Sequence, residues 1–296
     1  MAREAGVLSS RARVVRGLLG GYGASIYVFL FAPIVLLVLF SFNTSSVVGF
    51  PITGWTTKWY ADVFGDLAIQ DALRTTLKVG LEVTLISTIV GTAAAFPLVR
   101  GGLPFPNGLR VTMTLPIMIP GILIGVSLLI LFTNVLHVTL SPQTAVIGQS
   151  VYTTPFVLLL VAARLQGFDR ALERAASDLG ANTFNRLRYV VLPLITPAIL
   201  AGALFAFTLS FDEFVITYFI IGGYNTLPIY IYTQVKYGIT PEVNALASLL
   251  LAASVVLLVL AFTLPQVLRL ARRRLAALRR SGRPQIAAEA AGVGRG

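Results

Sequence analysis

Six stretches of roughly 20 apolar residues dominate this chain, and that is the length a helix needs to cross the hydrocarbon core of a bilayer. They run from Tyr22 to Phe42, Thr75 to Val99, Val111 to Phe132, Ala145 to Ala163, Val190 to Ile221 and Ala245 to Leu264. A soluble fold of 296 residues cannot absorb them with only 12% charged side chains, because a soluble surface has to be covered by polar groups. With 56% hydrophobic residues and a mean hydropathy of +0.83, the surplus apolar surface must face lipid. The expected fold class is all-α, a polytopic membrane protein with six transmembrane helices. The fifth stretch is over-long and carries Pro193 and Pro197, so its start reads as an interfacial helix leading into the span. Pro116 and Pro120 are expected to kink the third. The first follows Arg3, Arg11, Arg13 and Arg16 as a signal peptide would. Its apolar run is too long for one and no small-x-small site follows, so it reads as a retained anchor helix.

Basic residues orient the spans. With both termini inside, all but four of the 23 Lys and Arg fall on the cytoplasmic side, the exceptions being Lys58, Arg74, Lys78 and Lys236. The expected organisation is a cytoplasmic arm (1–21), a six-helix transmembrane domain (22–264) with a cytoplasmic loop at 164–188, and a basic, partly disordered cytoplasmic tail (265–296). The net charge of +11 is therefore a topological signal. The tail cluster of Arg272, Arg273, Arg274, Arg279, Arg280 and Arg283 reads as a stop-transfer cluster on anionic headgroups and not as a nucleic-acid site. Cysteine is absent and His137 is the single histidine, which removes thiol chemistry and multi-histidine metal centres from consideration. No metal site is expected.

The loop after the fourth span carries a pattern of its own. Asp169 is placed to cap a short helix, and Leu172, Ala175, Ala176 and Leu179 at i, i+3, i+4 and i+7 form one apolar stripe. Glu173, Arg174, Ser177 and Asp178 occupy the other faces, and Gly180 is expected to end the helix. A stripe that is half alanine suits close backbone approach to a partner surface; the other reading is a helix lying on the headgroups.

The loop resembles the coupling loop of ATP-binding-cassette importer permeases, whose motif is Glu-Ala-Ala, three residues, Gly, nine residues, then Ile-x-Leu-Pro. Ala175, Ala176 and Gly180 match, and Val190-Val191-Leu192-Pro193 follow in register. The motif's glutamate position holds Arg174, with Glu173 one place early. Either Glu173 takes over the acidic role or the ATPase groove accepts a cation. Thr57-Lys58-Trp59-Tyr60, Arg164-Leu165-Gln166-Gly167-Phe168-Asp169, Phe207 to Glu213, Leu227-Pro228-Ile229-Tyr230 and Thr240-Pro241-Glu242-Val243-Asn244-Ala245-Leu246 narrow the resemblance to the spermidine/putrescine permease family. It implies a methionine-importer-like (type I) fold in the bacterial inner membrane, surrounded by lipid. It also implies a second homologous permease, two cytoplasmic ATPases that hold the ATP and magnesium, and a periplasmic solute-binding protein. The permease itself would hold no cofactor and no catalytic residue, and the sequence has no P-loop of the G-x-x-x-x-G-K-[ST] kind. The ATPase-coupling residues would be Glu173, Arg174, Ala175, Ala176, Asp178, Leu179, Gly180, Leu192 and Pro193. Trp55, Trp59 and Tyr60 would form an outer aromatic belt or touch the capture protein.

Asp212 and Glu213 are adjacent in the fifth stretch, with Ser210 and Phe211 before them. An ionised acid at the centre of a span costs roughly 3 kcal/mol on insertion scales, so such residues usually mark a pathway. A cationic solute would supply the missing partner, and the alternative is an ion pair or hydrogen bond within the permease dimer. On a continuous helix the two acids point about 100° apart, and Asp212, sharing a face with Thr208 and Phe211, is the expected pathway acid. Glu82 with Lys78 four residues earlier reads as an intrahelical ion pair. Where polyamine members of the family place an acid, after the second proline of span three, this chain has Gly121, which admits other cationic or amino-acid-like solutes. The competing class is a self-sufficient secondary transporter or channel, which would need its own coupling-ion site and no coupling loop.

Overall fold

The computed structural model describes residues 2–101, 105–167, 169–256, 259 and 263. The basic tail at 265–296 lies outside the described residues, as does Phe168. Among the described residues the chain is helical with short connections, and its only β pairing is an isolated bridge between Asn43 and Trp55. The helices are α1 (Ala2–Phe40), α2 (Lys58–Gly65), α3 (Leu67–Arg100), α4 (Pro106–Met118), α5 (Gly121–Ile130), α6 (Pro142–Gln166), α7 (Ala171–Asp178), α8 (Thr183–Arg186), α9 (Leu192–Phe211), α10 (Val215–Ile220), α11 (Leu227–Tyr237) and α12 (Pro241–Val256). The chain divides into two compact units, Met1–Val63 with Ile239–Gly296, and Phe64–Gly238.

Among the described residues, four helical runs are long and apolar enough to cross a bilayer: Val15–Phe40, Leu67–Arg100, Pro142–Gln166 and Thr183–Phe211. The third expected span is a pair, Gly108–Met118 and Gly121–Val135, bent by 96°. This is a break and not the kink expected from its prolines. Pro120 disfavours helical geometry at the residue before it, and Ile119 accordingly sits at φ −83°, ψ 128°, which ends α4. The fifth stretch also differs. Helix continues from Thr183 to Phe211 through a π turn at Leu187–Val191, so no separate interfacial helix precedes Pro193. In that wide turn Leu192 N–H reaches back five residues to the Leu187 carbonyl, opening the backbone just ahead of a residue that cannot donate. The span then stops at Phe211, ten residues before the expected Ile221. The sixth expected span is helical over Pro241–Val256, and its continuation toward Leu264 runs past the described stretch.

In the unit from Phe64 to Gly238, α3, α6 and α9 pack around Ala95, Val157, Val161, Ala162, Leu165, Val191, Ile195 and Ala206. Small residues bring the backbones close, as helix pairs in lipid require. A Cβ on Gly91 would lie 2.9 Å from Val157 Cβ and 3.0 Å from the Thr154 carbonyl oxygen, so only glycine permits this crossing of α3 and α6. Ser87 and Thr153 hydroxyls hydrogen-bond across it at 2.5 Å. A second cluster, Ile124, Phe132, Ala145, Ile216, Ile220, Ile221 and Ile229, ties α5, α6, α10 and α11 together. It fixes α10 against α5, and thereby sets the two helix breaks beside each other.

Candidate solute pathway and coupling loop

The α4–α5 break and the α9–α10 break meet at one cavity of about 420 Å³. Ile117, Ile119 and Gly121 line it from the first break, Asp212, Glu213, Phe214, Val215 and Ile216 from the second, with Thr208 and Leu209 from α9 and Tyr152 from α6. The rings of Phe214, Tyr218 and Tyr232 form an aromatic group there, with Phe214 4.6 Å from Tyr232 and 5.4 Å from Tyr218 between centroids.

The two acids have different surroundings. Glu213 is engaged by its own chain. Its Oε1 accepts the Ile216 N–H at 2.8 Å, and its Oε2 accepts the Thr217 N–H at 2.9 Å and the Thr217 hydroxyl at 2.5 Å. It therefore caps α10, satisfying two of the orphan donors at that helix start with a charge that suits its dipole. Asp212 ends α9, is exposed, and its carboxylate has no hydrogen-bond or ion-pair partner among the described residues. α9 ends here, so its last carbonyls add partial negative charge beside the Asp212 carboxylate. The expectation that both acids lie on a continuous helix is thus corrected: they sit in a break, and the difference between them comes from the cap. Ser210 is also placed differently from expectation. It is buried and its hydroxyl donates to Gln149 Oε1, away from the cavity wall, while Phe211 is half-buried with its ring 5.9 Å from Phe207. Lys78 and Glu82 do not form the expected ion pair. Phe214 stands out in sequence as an aromatic flank of the two acids, whereas Tyr152, mid-way along α6, carries no signal there beyond being aromatic.

The residues of the 164–188 loop are ordered by local bonds. Asp169 accepts the Ala171 N–H at 2.8 Å, and Asn182 accepts the Asn185 N–H at 2.8 Å. Gly180 has φ +83°. Its N–H meets the Ser177 carbonyl at 2.9 Å, and the Ala181 N–H meets the Ala176 carbonyl at 3.0 Å, which is the paired closure of a Schellman turn. Glu173 faces inward, with its side chain 12% exposed, paired with Arg100 at the end of α3 and lying 3.7 Å from Arg186. Arg186 also donates to the Ser177 hydroxyl at 2.9 Å. Arg174, Ala175, Asp178 and Leu179 are left facing outward, Leu179 at 89% exposure, and Leu172 is half exposed. Ala176 is half-buried, as is Leu192, while Pro193 is exposed. Glu173 is thus paired inside this chain, and Arg174, at the motif's glutamate position, stands on the exposed face.

In the other unit, Trp59 Nε1 donates to the Asn43 carbonyl at 2.7 Å and Tyr60 shares a 2.7 Å hydrogen bond with Ser41. Asn43 Oδ1 in turn accepts from the Ser45 and Thr53 N–H groups and the Thr53 hydroxyl. Trp59 and Tyr60 therefore brace the loop after α1, whereas Trp55 is 65% exposed. Among the described residues, no group of three or more His, Cys, Asp or Glu is placed to hold a metal ion.

Residues 87–276 match the family described as binding-protein-dependent transport system inner membrane component. Among curated proteins, the chain is 37% identical over 254 residues to the putrescine transport system permease protein PotI of Escherichia coli (strain K12), covering 83% of this chain and 88% of that one. It is 38% identical over 248 residues to the spermidine/putrescine transport system permease protein PotC of the same organism, covering 82% and 92%. Among solved structures, a chain of a bacterial ABC transporter involved in import of the acidic polysaccharide alginate superposes with a TM-score of 0.65 at 15% identity, covering 86% of this chain and 97% of that chain. A chain of the MetNI methionine ABC transporter in an inward-facing conformation gives 0.51 at 19% identity, covering 66% and 95%. With this fold and these relatives, the chain belongs to the family of binding-protein-dependent transport system inner membrane components and is a non-catalytic, membrane-spanning permease subunit of an ATP-binding-cassette importer.

Proposed function

We propose that this permease passes a polyamine, putrescine or spermidine, or a related cationic compound, through the cavity where the two helix breaks meet. The observation that carries the reading is the partnerless Asp212 carboxylate on that cavity, beside a helix C-terminus and the Phe214 ring. An uncompensated acid at membrane depth is costly unless a mobile cation or water completes it. Broken helices whose ends face a midplane cavity are a recurrent way to build such a site. Aromatic faces add cation–π attraction of roughly 0.5–2 kcal/mol for an organic ammonium. The curated relatives named for putrescine and spermidine support the same solute class.

In this reading the chain works beside a second homologous permease, with lipid around its outer helices. Two cytoplasmic ATPases bind the ATP and magnesium, and a periplasmic solute-binding protein delivers the cargo. The Arg174, Ala175 and Leu179 face of α7 enters the ATPase groove, and closure of the ATPase pair pushes on α7. Through the Glu173–Arg100 pair that push reaches the end of α3, and the spans alternate between outward and inward access. Both termini and residues 164–188 are cytoplasmic, with Trp59 and Tyr237 on the periplasmic side. Assembly of the permease pair with its ATPase and capture protein, and measurement of ATP hydrolysis against putrescine, spermidine and amino acids, tests the proposal. Stimulation by the polyamines supports it, and stimulation by an anionic solute alone sinks it.

One observation favours a second solute class. The α5 N-terminus at Gly121 lines the same cavity and has no side-chain cap, so its free N–H groups suit a carboxylate. An amino-acid-like zwitterion would place its ammonium at Asp212 and its carboxylate there, and the same assay separates the two classes.

A further inference from the structure

Gln149 lies on α6, is 1% exposed, and both ends of its amide are used. Oε1 accepts the Ser210 hydroxyl of α9, and Nε2 donates to the Thr217 hydroxyl of α10 at 2.6 Å. The Thr217 hydroxyl in turn donates to Glu213 Oε2 at 2.5 Å, and Glu213 caps α10. Ser210 and Thr217 are 4% and 0% exposed, so their bonds to Gln149 are shielded from solvent, while Glu213 at the end of the chain is half-buried. It runs from the last turn of α9 to the first turn of α10, spanning the break that carries Asp212; Gln149, Ser210 and Thr217 lie off the cavity wall, and Glu213 at its end lines it. Beyond the Glu213 cap, nothing local explains that break. It contains no proline or glycine, and Phe211 to Ile220 is apolar enough to continue as helix. A buried amide in lipid-embedded protein is costly when either end is unpaired, so the amide holds Ser210 and Thr217 in the one arrangement that satisfies it.

We infer that Gln149 is a positioning residue for the solute site: its amide holds the α9–α10 break open and so keeps the Asp212 carboxylate and the end of α9 turned to the cavity. This rests on the proposed cavity being the solute path. Without the amide, Glu213 loses the partner that orients Thr217, the cap loosens, and the segment relaxes toward continuous helix.

The test uses the absence of native cysteine. Val215, on the cavity wall and 39% exposed, is replaced by cysteine in the complete complex, and its modification rates by a cationic and by a neutral methanethiosulfonate reagent are compared. A carboxylate several ångströms away should favour the cationic reagent roughly tenfold. Gln149→Met keeps the side-chain shape but deletes both bonds, and should lower that ratio at least threefold in correctly assembled complex. Should Gln149→Met fail to assemble, Thr217→Val against Thr217→Ser gives the same reading: Val lowers the ratio and Ser, which restores the hydroxyl, recovers it. A ratio unchanged in Gln149→Met, or in Thr217→Val where that variant is used, overturns the positioning role even when putrescine drives the complex. A lowered ratio in a complex that no polyamine stimulates upholds the positioning role and overturns the proposed solute instead.

Discussion

The two helix breaks that meet at the cavity are built by opposite means. At Met118–Gly121 the cause is covalent and local: Pro120 removes helical geometry from Ile119, and the chain bends by 96°. At Asp212–Phe214 the break rests on hydrogen bonds: Glu213 caps the new helix from three and four residues away, and a buried glutamine 61 residues from Ser210 and 68 from Thr217 holds both sides. A break made by proline survives almost any change around it. A break made by hydrogen bonds can be adjusted by its surroundings, and it is the one that carries the free carboxylate. The fixed break forms one wall of the cavity, and the adjustable one holds the group proposed to meet the cargo.

Substitutions at the two breaks sharpen this contrast, and their expected effects on stability fall in order. Glu213→Leu strands two backbone donors and the Thr217 hydroxyl, and should cost about 3 kcal/mol or more. The thermal midpoint of the purified complex reports it; an unchanged midpoint would show that the cap does not hold this break. Gly180→Val, at φ +83° in the 164–188 loop, should cost roughly 1–2 kcal/mol locally. Membrane insertion should survive while co-purification of the ATPase falls, and retention of the ATPase would remove the loop as its docking element. Pro120→Ala should lower stability by no more than about 1 kcal/mol, because the proline's chief effect is to restrict the backbone. A larger loss than at Glu213 would invert the comparison.

What could be read from sequence follows the same division. Pro120, Gly180, Asp169 and the apolar stretches act through near neighbours, and pattern locates them. The ends of α7 lie where Asp169 and Gly180 put them, since capping is a matter of a few residues. The halt of the fifth stretch at Phe211 was not legible, because hydropathy is continuous there and the partners lie on α6. The orientation of Ser210 was missed for the same reason: helical spacing assigns a face but not which neighbour occupies it. Lys78 and Glu82 have the spacing of an ion pair and do not form one, which shows how weakly i, i+4 spacing alone constrains two long side chains. Asp212 and Glu213 were found because charge at membrane depth is rare, yet only the cap geometry separates their roles.

The smallest expected effect on stability belongs to the residue with the largest expected effect on transport. Asp212 is exposed and has no partner to lose, so Asp212→Asn should shift the unfolding midpoint by less than about 0.5 kcal/mol equivalent. Putrescine uptake by proteoliposomes holding the complete complex, compared between wild type and Asp212→Asn, is the most direct test. The site described here predicts uptake reduced roughly tenfold or more, with complex assembly and basal ATP hydrolysis preserved; wild-type uptake in Asp212→Asn would contradict it.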